Sequence, residues 1–370
     1  MDCPALLRAE GPGHQRRGVL KSKRLTSWGF ALDGLTGVAR QGHLSVRALA
    51  VLDSRGLVRT LFLASAVRSE LIGHLRVDRS GDELVEILGV LRPDRLRAWL
   101  QVGVDVGELR SRGDRYRVAG RRARALADGD EFLVAHYRSM LDYQVGPYAE
   151  LDLLVRGDPE GGRDDLDRYA EDIARVSVAA EPFVNSMIRR TVAELRPARV
   201  LDVGCGSGIY SKVVLDSDPL VRVDGVDLAE SVVVAARREL AEAGYGTRAQ
   251  LHVGDIREWL ARSRVRFDLV MLLNNIYYFD RARRREIYRQ LGASLTDGGQ
   301  LLLVSMTTPG SIAAAHLDFM LRSQVGSASL PELADLQSDL SAVGYETLEV
   351  RKLVPTEPFV GIRARRRYQL

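Results

Sequence analysis

Cysteine is almost absent from this 370-residue chain, and so are long apolar runs. Cys3 and Cys205 are its two cysteines, too few and too far apart in sequence for a disulfide framework or a zinc site of their own. Nowhere do about 18 apolar residues follow one another, the length that a membrane-spanning helix needs. Residues 1–18 also lack the pattern of an export signal. We therefore expect a cytoplasmic protein without a membrane partner.

Histidine and lysine are scarce as well. The six histidines are scattered, and no two are spaced one helical turn apart as in a helical metal site, so we expect no metal. The net charge of +4 comes mainly from arginine. Basic clusters such as residues 121–124 and 281–285 are interleaved with acids over the whole chain. This pattern favours solvated faces and makes a nucleic-acid partner an unfavoured alternative.

A Gly/Pro/Asp cluster at residues 156–163 divides the chain into two differently patterned parts. Before it, three helices and a hairpin around Arg112–Asp114 predict a winged helix, and a long fourth helix follows. We predict a helical, winged-helix domain over residues 1–150, with the first 45 unassigned, and a connecting helical lid over residues 151–197. The four helices are predicted at residues 61–75, 80–88, 93–102 and 128–143, and a further helix at 165–195.

From residue 198 onward, strands and helices alternate. The strands are predicted at residues 199–203, 221–226, 250–253, 267–273 and 300–305, and the helices between them at 210–216, 231–243 and 283–294. This alternation is typical of a parallel sheet with helices on both faces. We therefore predict an α/β, Rossmann-like, doubly wound domain over residues 198–370.

The first strand of this domain runs into three alternate glycines, Gly204, Gly206 and Gly208. Glycines at a strand-to-helix turn are weak evidence alone, because they can serve only to bend the chain. Their spacing is shorter than the G-x-G-x-x-G that dinucleotide-binding enzymes use for a pyrophosphate. The turn therefore suits an adenine nucleoside without phosphates better than a nicotinamide dinucleotide.

Three acids accompany the glycines. Asp202, Asp227 and Asp255 come at the carboxyl ends of three successive predicted strands. The carboxyl ends of parallel strands form the crevice where open α/β sheets bind ligands, so these carboxylates are expected to converge there.

With these motifs, residues 198–306 resemble a class I S-adenosylmethionine-dependent methyltransferase. The resemblance implies that the glycine turn admits the methionine part of the cofactor, that Asp227 binds the ribose hydroxyls, and that Asp255 faces the adenine amine with Ile256 beside the ring. The positions that it assigns to S-adenosyl-L-methionine are Asp202, Gly204, Gly206, Gly208, Asp227, Leu228, Asp255, Ile256 and Asn274.

Residues 55–370 are similar, more loosely, to bacterial small-molecule methyltransferases with an N-terminal winged-helix dimerisation domain. This similarity implies a homodimer. Residues 95–105, the third helix, are mostly apolar after their first turn, as a buried dimer helix would be rather than a DNA-reading one. Arginines in the hairpin leave a cofactor-sensing DNA-binding regulator as the alternative of another class.

The acceptor is expected at Asn274–Asp280, after the fourth strand. Many relatives place His-His or His-Asp where this chain has Tyr277 and Tyr278, and tyrosine is a poor base at neutral pH because its ordinary pKa is about 10. We expect Asn275 and Tyr278 to hold the acceptor and Tyr277 to line the cofactor pocket, whereas Tyr278 could instead pack under the next helix. His316 is the candidate general base.

Further pocket walls are expected to be aromatic or methionine side chains, which suit a flat or apolar metabolite. These are Met140, Tyr143, Tyr148, Tyr169, Phe183, Met187, Phe319 and Met320. The predicted activity is methyl transfer to an oxygen or nitrogen of a small molecule, in bacterial specialised metabolism. Transfer to a protein or peptide side chain is the alternative within the same class.

Overall fold

The computed structural model describes residues 36–38, 40, 42–157, 162–164, 178–326 and 329–367. The chain divides into two compact units, residues 1–58 and 59–370. Helix α1, Leu44–Arg68, begins in the first unit and ends in the second. Within the described ranges, no helix has both the length and the apolar character needed to cross a membrane.

The N-terminal part of the second unit is helical, with one small antiparallel sheet. Arg112 and Arg115 flank the tight turn of a hairpin, in which Gly113 has a φ of +60°, and a third short strand pairs with the hairpin's second strand. The elements are α2 Leu71–His74, β1 Arg79–Ser80, α3 Gly81–Ile87, α4 Pro93–Asp105, β2 Leu109–Arg112, β3 Arg115–Val118, α5 Arg121–Asp128, α6 Glu131–Ser139, α7 Gly146–Ala149 and α8 Leu151–Arg156. This is the element order that a winged helix requires. The assignments as a winged helix and as a dimerisation domain, and the boundaries at residues 150 and 197, stay predictions.

Two of the predicted helices have the wrong extent. The helix expected over residues 61–75 begins earlier, at Leu44, and ends at Arg68, because Glu70 adopts a left-handed conformation with a φ of +60°. The helix expected over residues 128–143 begins at Glu131, because Gly129, with a φ of +88°, ends the preceding helix α5 and the Asp130 side chain caps α6; its last turn, Met140–Gln144, is π-helical. A glycine in the left-handed region is a common helix end.

The second part of the chain forms a seven-stranded sheet, which confirms the predicted α/β class. Its spatial order is β6-β5-β4-β7-β8-β10-β9, parallel except that β10 runs antiparallel to both of its neighbours. The last two strands were not predicted. The strands are β4 Arg199–Val203, β5 Arg222–Asp227, β6 Ala249–Val253, β7 Phe267–Leu273, β8 Leu295–Met306, β9 Tyr345–Lys352 and β10 Phe359–Arg366.

Helices cover both faces of this sheet, so its central strands are apolar on each side. In β4, for example, Val200 packs with one core and Leu201 with the other, and both are fully buried. The helices are α9 Glu181–Leu195, α10 Ile209–Ser217, α11 Glu230–Glu242, α12 Ile256–Arg262, α13 Arg281–Ser294, α14 Ile312–Arg322 and α15 Leu333–Ala342. Of the helix predicted over residues 165–195, positions 165–177 lie outside the described residues. The sheet order reverses between β4 and β7, so the crevice opens at their carboxyl ends.

Candidate active site

The turn after β4 depends on backbone conformations that only glycine adopts easily. Gly204, Gly206 and Gly208 have φ values of +67°, +49° and +75°, all in the left-handed region that costs an ordinary L residue about 1–2 kcal/mol. The Gly204 amide donates to the Val226 carbonyl at 2.8 Å, which fixes the turn against β5. A side chain at Gly206 would project into open space. The turn therefore presents bare backbone to the crevice, as a ligand approaching closely would require.

Asp202 lies beneath this turn rather than in the crevice. Its carboxylate is buried and accepts a hydrogen bond from the Ser211 hydroxyl at 2.7 Å. Burial raises the pKa of Asp202 to about 6, the Ser211 hydrogen bond opposes this rise, and the nearby Asp227 carboxylate adds to it. The structure therefore places Asp202 where it can support the turn and α10 rather than touch a ligand.

Asp227, at the end of β5, has the position and partners of a ligand-binding carboxylate. One of its oxygens accepts from the Gly206 amide at 2.9 Å and the other accepts from the Ala229 amide at 2.9 Å. These two bonds orient the carboxylate and leave lone pairs on both oxygens for hydroxyl donors. Leu228, the next residue, is 74% exposed, so an uncovered apolar surface lies beside the carboxylate.

Asp255 differs from Asp227 because its carboxylate is already occupied. It caps α12 by accepting from the Arg257 amide at 2.7 Å, and the Arg257 guanidinium approaches it at 2.5 to 3.2 Å. The hydrogen bond from the Arg257 side chain is the main reason that the pKa of Asp255 is lowered. Ile256, which was expected beside the adenine ring, is buried in the core on one face of the sheet.

Two asparagines follow β7 and turn the chain toward β4. Asn274 has a φ of +57°, a conformation that asparagine tolerates better than most residues. Its side-chain amide lies 3.4 Å from the Tyr210 hydroxyl. The Asn275 side-chain amide donates to the Val203 carbonyl at 2.5 Å. Asn275 was expected to hold the acceptor, and the structure places its amide on the end of β4 instead.

Tyr277 and Tyr278 belong to a group of phenols. Their ring centroids are 4.8 Å apart. Burial raises the pKa of Tyr277 well above its ordinary value of 10, and the phenols of Tyr278, Tyr210 and Tyr143 contribute to this rise. Tyr143 lies in a single π-helical turn, Met140–Gln144, and is buried. Because the pKa values of Tyr210, Tyr277 and Tyr278 are raised above 10, these three phenols are neutral at pH 7, so they can orient an acceptor by hydrogen bonds but cannot deprotonate it.

His316, on α14, forms an aromatic cluster with two of the predicted pocket walls. Its Nδ1 lies 2.8 Å from the Tyr148 hydroxyl, and the two rings are stacked. The Phe319 ring packs 4.8 Å from the Tyr148 ring. Burial lowers the pKa of His316, so the imidazole is neutral near pH 7. A neutral imidazole has one nitrogen that can accept a proton, as a general base must.

The other residues predicted to line the pocket lie in different environments. Met187 is buried and packs in the core on one face of the sheet, and Met320 is also buried. Met140 packs against the front core. Phe183 is 40% exposed, and Tyr169 lies outside the described residues.

Tyr210 and Glu181 were missed by the sequence reasoning. Tyr210 stands in the first turn of α10, directly after the glycine turn, and reaches Asn274. Burial raises the pKa of Glu181, and its carboxylate is close enough to contribute to the raised pKa of Tyr210. The signal for Tyr210 is its position, because a side chain in the first turn of a helix that begins at the crevice is well placed to border it. No comparable signal marks Glu181.

No group of three or more His, Cys, Asp or Glu side chains suited to a metal ion occurs among the residues that the structure describes. Several of the arginines expected to mark a DNA-binding surface are paired with acids. Arg115 contacts Glu83, Arg117 contacts Asp78 and Arg122 contacts the buried Glu108. These pairs reduce the positive charge that the hairpin region presents.

The fold and site together define a Rossmann-like protein in which a glycine turn and the Asp227 carboxylate meet at the switch point of the sheet, and comparison with known proteins agrees. Residues 200–299 match a family described as a methyltransferase domain. The chain therefore carries a methyltransferase domain over these residues, which confirms the resemblance inferred from the glycine turn and Asp227.

Similarity to curated proteins is confined to a short region. The tRNA1(Val) (adenine(37)-N6)-methyltransferase of Citrobacter koseri is 33% identical over 81 residues, which are 22% of this chain and 33% of that protein. The enzyme of that name from Escherichia coli K12 is 32% identical over the same length. The chain thus spans about a third of the length of the curated relatives that it matches.

Similarity to solved structures extends over most of the chain. The mitomycin 7-O-methyltransferase MmcR has a TM-score of 0.73 at 17% identity, covering 90% of this chain and 100% of that one. PigF with SAH has a TM-score of 0.72 at 17% identity, covering 86% and 98%. The riboflavin-derivative dimethyltransferase RosA from Streptomyces davawensis has a TM-score of 0.66 at 17% identity, covering 88% and 100%. These likenesses establish the fold.

Proposed function

We propose that this protein is an S-adenosylmethionine-dependent methyltransferase that acts on an oxygen or nitrogen atom of a small molecule. The observation that carries the proposal is the Asp227 carboxylate, held by the Gly206 and Ala229 amides at the mouth of a turn with bare backbone. The residues fit the cofactor: hydroxyl acceptors, an uncovered apolar surface at Leu228 and an open cradle at Gly206 lie together.

When bound, the cofactor supplies a methyl group on a positively charged sulfur, which leaves readily. The protein's contribution is mainly alignment, and positioning of this kind can remove about 7–11 kcal/mol from a barrier. We propose that Asp227 and the glycine turn fix the cofactor, with Asp255 at its adenine end, while Tyr278, 42% exposed, and its neighbour Tyr277 orient the acceptor.

The nature of the acceptor is inferred from what the phenols can and cannot do. Because they stay protonated, they suit an acceptor that loses its proton late, such as an amine, or one that another group deprotonates. His316 is the proposed base for a hydroxyl acceptor, since its imidazole is neutral and its Nδ1 is held by Tyr148. For such an acceptor, His316 would accept the hydroxyl proton, and the bound cofactor would supply the methyl group, with the electrons of the broken C–S bond left on sulfur.

The biological setting is part of the same proposal. MmcR and RosA are described as methyltransferases of mitomycin and of a riboflavin derivative, which supports a role in specialised metabolism. We further propose a cytoplasmic homodimer. Exposed apolar side chains on the first half of α1 support a dimer, because such patches commonly mark interfaces. They are Leu44, Val46, Leu49, Val51 and Leu52.

Calorimetric binding of S-adenosylhomocysteine to the purified chain tests the proposal. We expect saturable binding with one ligand per chain, and at least a hundredfold loss of affinity in Asp227→Ala, because the hydroxyl-binding carboxylate is removed. Asp218→Ala, which changes an acid in the loop between α10 and β5, serves as the matched control. A wild-type protein that does not bind the ligand, or an Asp227→Ala variant that binds it unchanged, would refute the proposed function.

A further inference from the structure

Asn275 lies between the glycine turn and the Tyr277–Tyr278 segment of the site. Its side-chain nitrogen donates to the Val203 carbonyl, the last residue of β4, across 72 positions of sequence. An ideal Cβ built on Gly204 would collide with the same nitrogen. The amide is therefore packed directly on the first residue of the glycine turn, and its nitrogen and oxygen are assigned unambiguously because only the nitrogen can bond a carbonyl.

The segment that contains Asn275 is held at two further points. The Asn274 backbone amide donates to the Val304 carbonyl of β8 at 2.9 Å, and its side chain meets Tyr210 on α10 at 3.4 Å. The Asn275 backbone carbonyl then accepts from the Tyr278 amide at 3.1 Å, which starts the short helical turn that carries both phenols. One residue thus joins the base of the phenol segment to the glycine turn.

The other atom of the Asn275 amide is notable because it has no hydrogen-bond partner among the residues that the structure describes. Oδ1 is buried and unpaired, which is unfavourable for an amide oxygen. An apolar side chain would avoid this cost, so the nitrogen's contact with β4 is the interaction that accounts for an asparagine here.

We propose that Asn275 is a positioning residue that holds the glycine turn in its cofactor-binding conformation and couples that turn to the Tyr277–Tyr278 segment. This inference rests on the proposed function, and it departs from the expectation that Asn275 binds the acceptor. It predicts that loss of the amide weakens cofactor binding even when no acceptor is present.

The test is calorimetric affinity for S-adenosylhomocysteine, without acceptor, in variants that remain folded by circular dichroism. We expect Asn275→Ala to bind about tenfold more weakly than wild type. Gln290→Ala is the matched control, because Gln290 also has a buried, unpaired amide oxygen but lies on α13, beside residues 263–266 at the opposite end of β7 from the crevice. Its affinity should stay within twofold of wild type.

A double-mutant cycle with Gly204 identifies the contact itself. Gly204→Ala alone should weaken binding through both backbone strain and collision with the Asn275 amide. In the Gly204→Ala, Asn275→Ala double variant the collision is absent, so we expect a loss smaller than the product of the two single losses. If Asn275→Ala fails to fold, Asn275→Asp replaces it in the affinity measurement, since it keeps the volume and removes the donor. Asn275→Ser replaces it in the cycle, since its shorter side chain lacks the atom that would collide with a Cβ at Gly204.

The outcomes separate this inference from the proposed function. Wild-type protein that fails to bind S-adenosylhomocysteine removes both. If the wild type binds but the affinity of Asn275→Ala is within twofold of it, only the role of Asn275 is overturned. The same holds if the affinity loss of the double variant equals the product of the two single losses. The proposed role of Asn275 is supported if Asn275→Ala binds more weakly than wild type and the double variant loses less affinity than the product of the two single losses.

Discussion

The cofactor side and the acceptor side of this crevice are built in different ways. On the cofactor side, the groups proposed to meet the ligand are bare backbone and carboxylates at the ends of adjacent parallel strands, such as Gly206 on the turn after β4 and Asp227 on β5. On the acceptor side, the groups are rings from distant segments, including Tyr143, Tyr148 and His316. The first arrangement follows from strand order, and the second depends on how helices pack over the sheet.

The largest expected effect concerns the buried carboxylate under the cofactor side. The pKa of Asp202 is about 6 in the folded state, against an ordinary value of 3.8. Between pH 3.8 and pH 6, the folded state therefore binds a proton at Asp202 that the unfolded state has lost. Stability contributed by Asp202 is therefore present below pH 4 and lost as pH rises to 6, by about 3 kcal/mol. The free energy of unfolding is measured by chemical denaturation of wild type and Asp202→Asn at pH 4 and pH 7. Between these pH values, the stability of Asp202→Asn relative to wild type should rise by that amount. Loss of S-adenosylhomocysteine binding by the folded variant would instead place Asp202 in contact with ligand.

The next effect tests whether the cofactor side is defined by backbone. Gly206→Ala should lower S-adenosylhomocysteine affinity at least tenfold, because the new methyl group enters the open space in front of the turn. Gly244→Ala is the matched control: Gly244 has a φ of +85° and also faces open space, but it follows α11. Both variants should lose about 1 kcal/mol of stability from left-handed strain, measured by urea denaturation. Equal affinities for both variants would contradict a close backbone approach.

A smaller effect distinguishes the two aspartates of the cofactor side. Asp255→Ala should weaken S-adenosylhomocysteine binding about threefold to tenfold, well below the loss in Asp227→Ala, because Asp255 is already paired with Arg257. Arg257→Ala should tighten binding slightly, since it frees the carboxylate for the adenine amine. Calorimetric titration measures both changes. The contrast between the two acids fails if Asp255→Ala loses as much affinity as Asp227→Ala.

The smallest expected effect lies on the acceptor side. Tyr278→Phe removes one hydroxyl from a side chain that is 42% exposed, and S-adenosylhomocysteine affinity should stay within twofold of wild type. Methyl transfer to the acceptor, followed with labelled cofactor, should fall because an orienting hydrogen bond is gone. A large loss of cofactor affinity would mean that the two sides of the crevice share this residue.

The sequence predicts most of the sheet and little of the acceptor side, for physical reasons. Strands β4 and β7 were predicted at their observed bounds, residues 199–203 and 267–273, because short apolar runs bounded by turn residues have few alternatives. Strands β9 and β10 were missed because charged residues interrupt their apolar pattern. The helix predicted from residue 128 starts three residues later, at Glu131, because the left-handed conformation of Gly129 ends the preceding helix α5, which was not predicted.

The candidate site was likewise predicted only in part from the sequence. The glycines and Asp227 were predicted because their spacing is local and strand ends converge by topology. The contact of Asn275 with Val203, the pairing of Tyr148 with His316 and the position of Glu181 each join segments that only tertiary packing brings together. Arg257, two residues from Asp255, was close enough to be foreseen as its ion-pair partner.

Strand β10 lies between β8 and β9, the two strands that precede it along the chain. Neither neighbour can complete its ladder until residues 359–366 have left the ribosome, so the sheet stays open at β8 until then. Long-range closure of this kind is slow, and the apolar β8 edge is exposed meanwhile. Nascent chains stalled before residue 359 should therefore bind chaperones that recognise extended apolar segments.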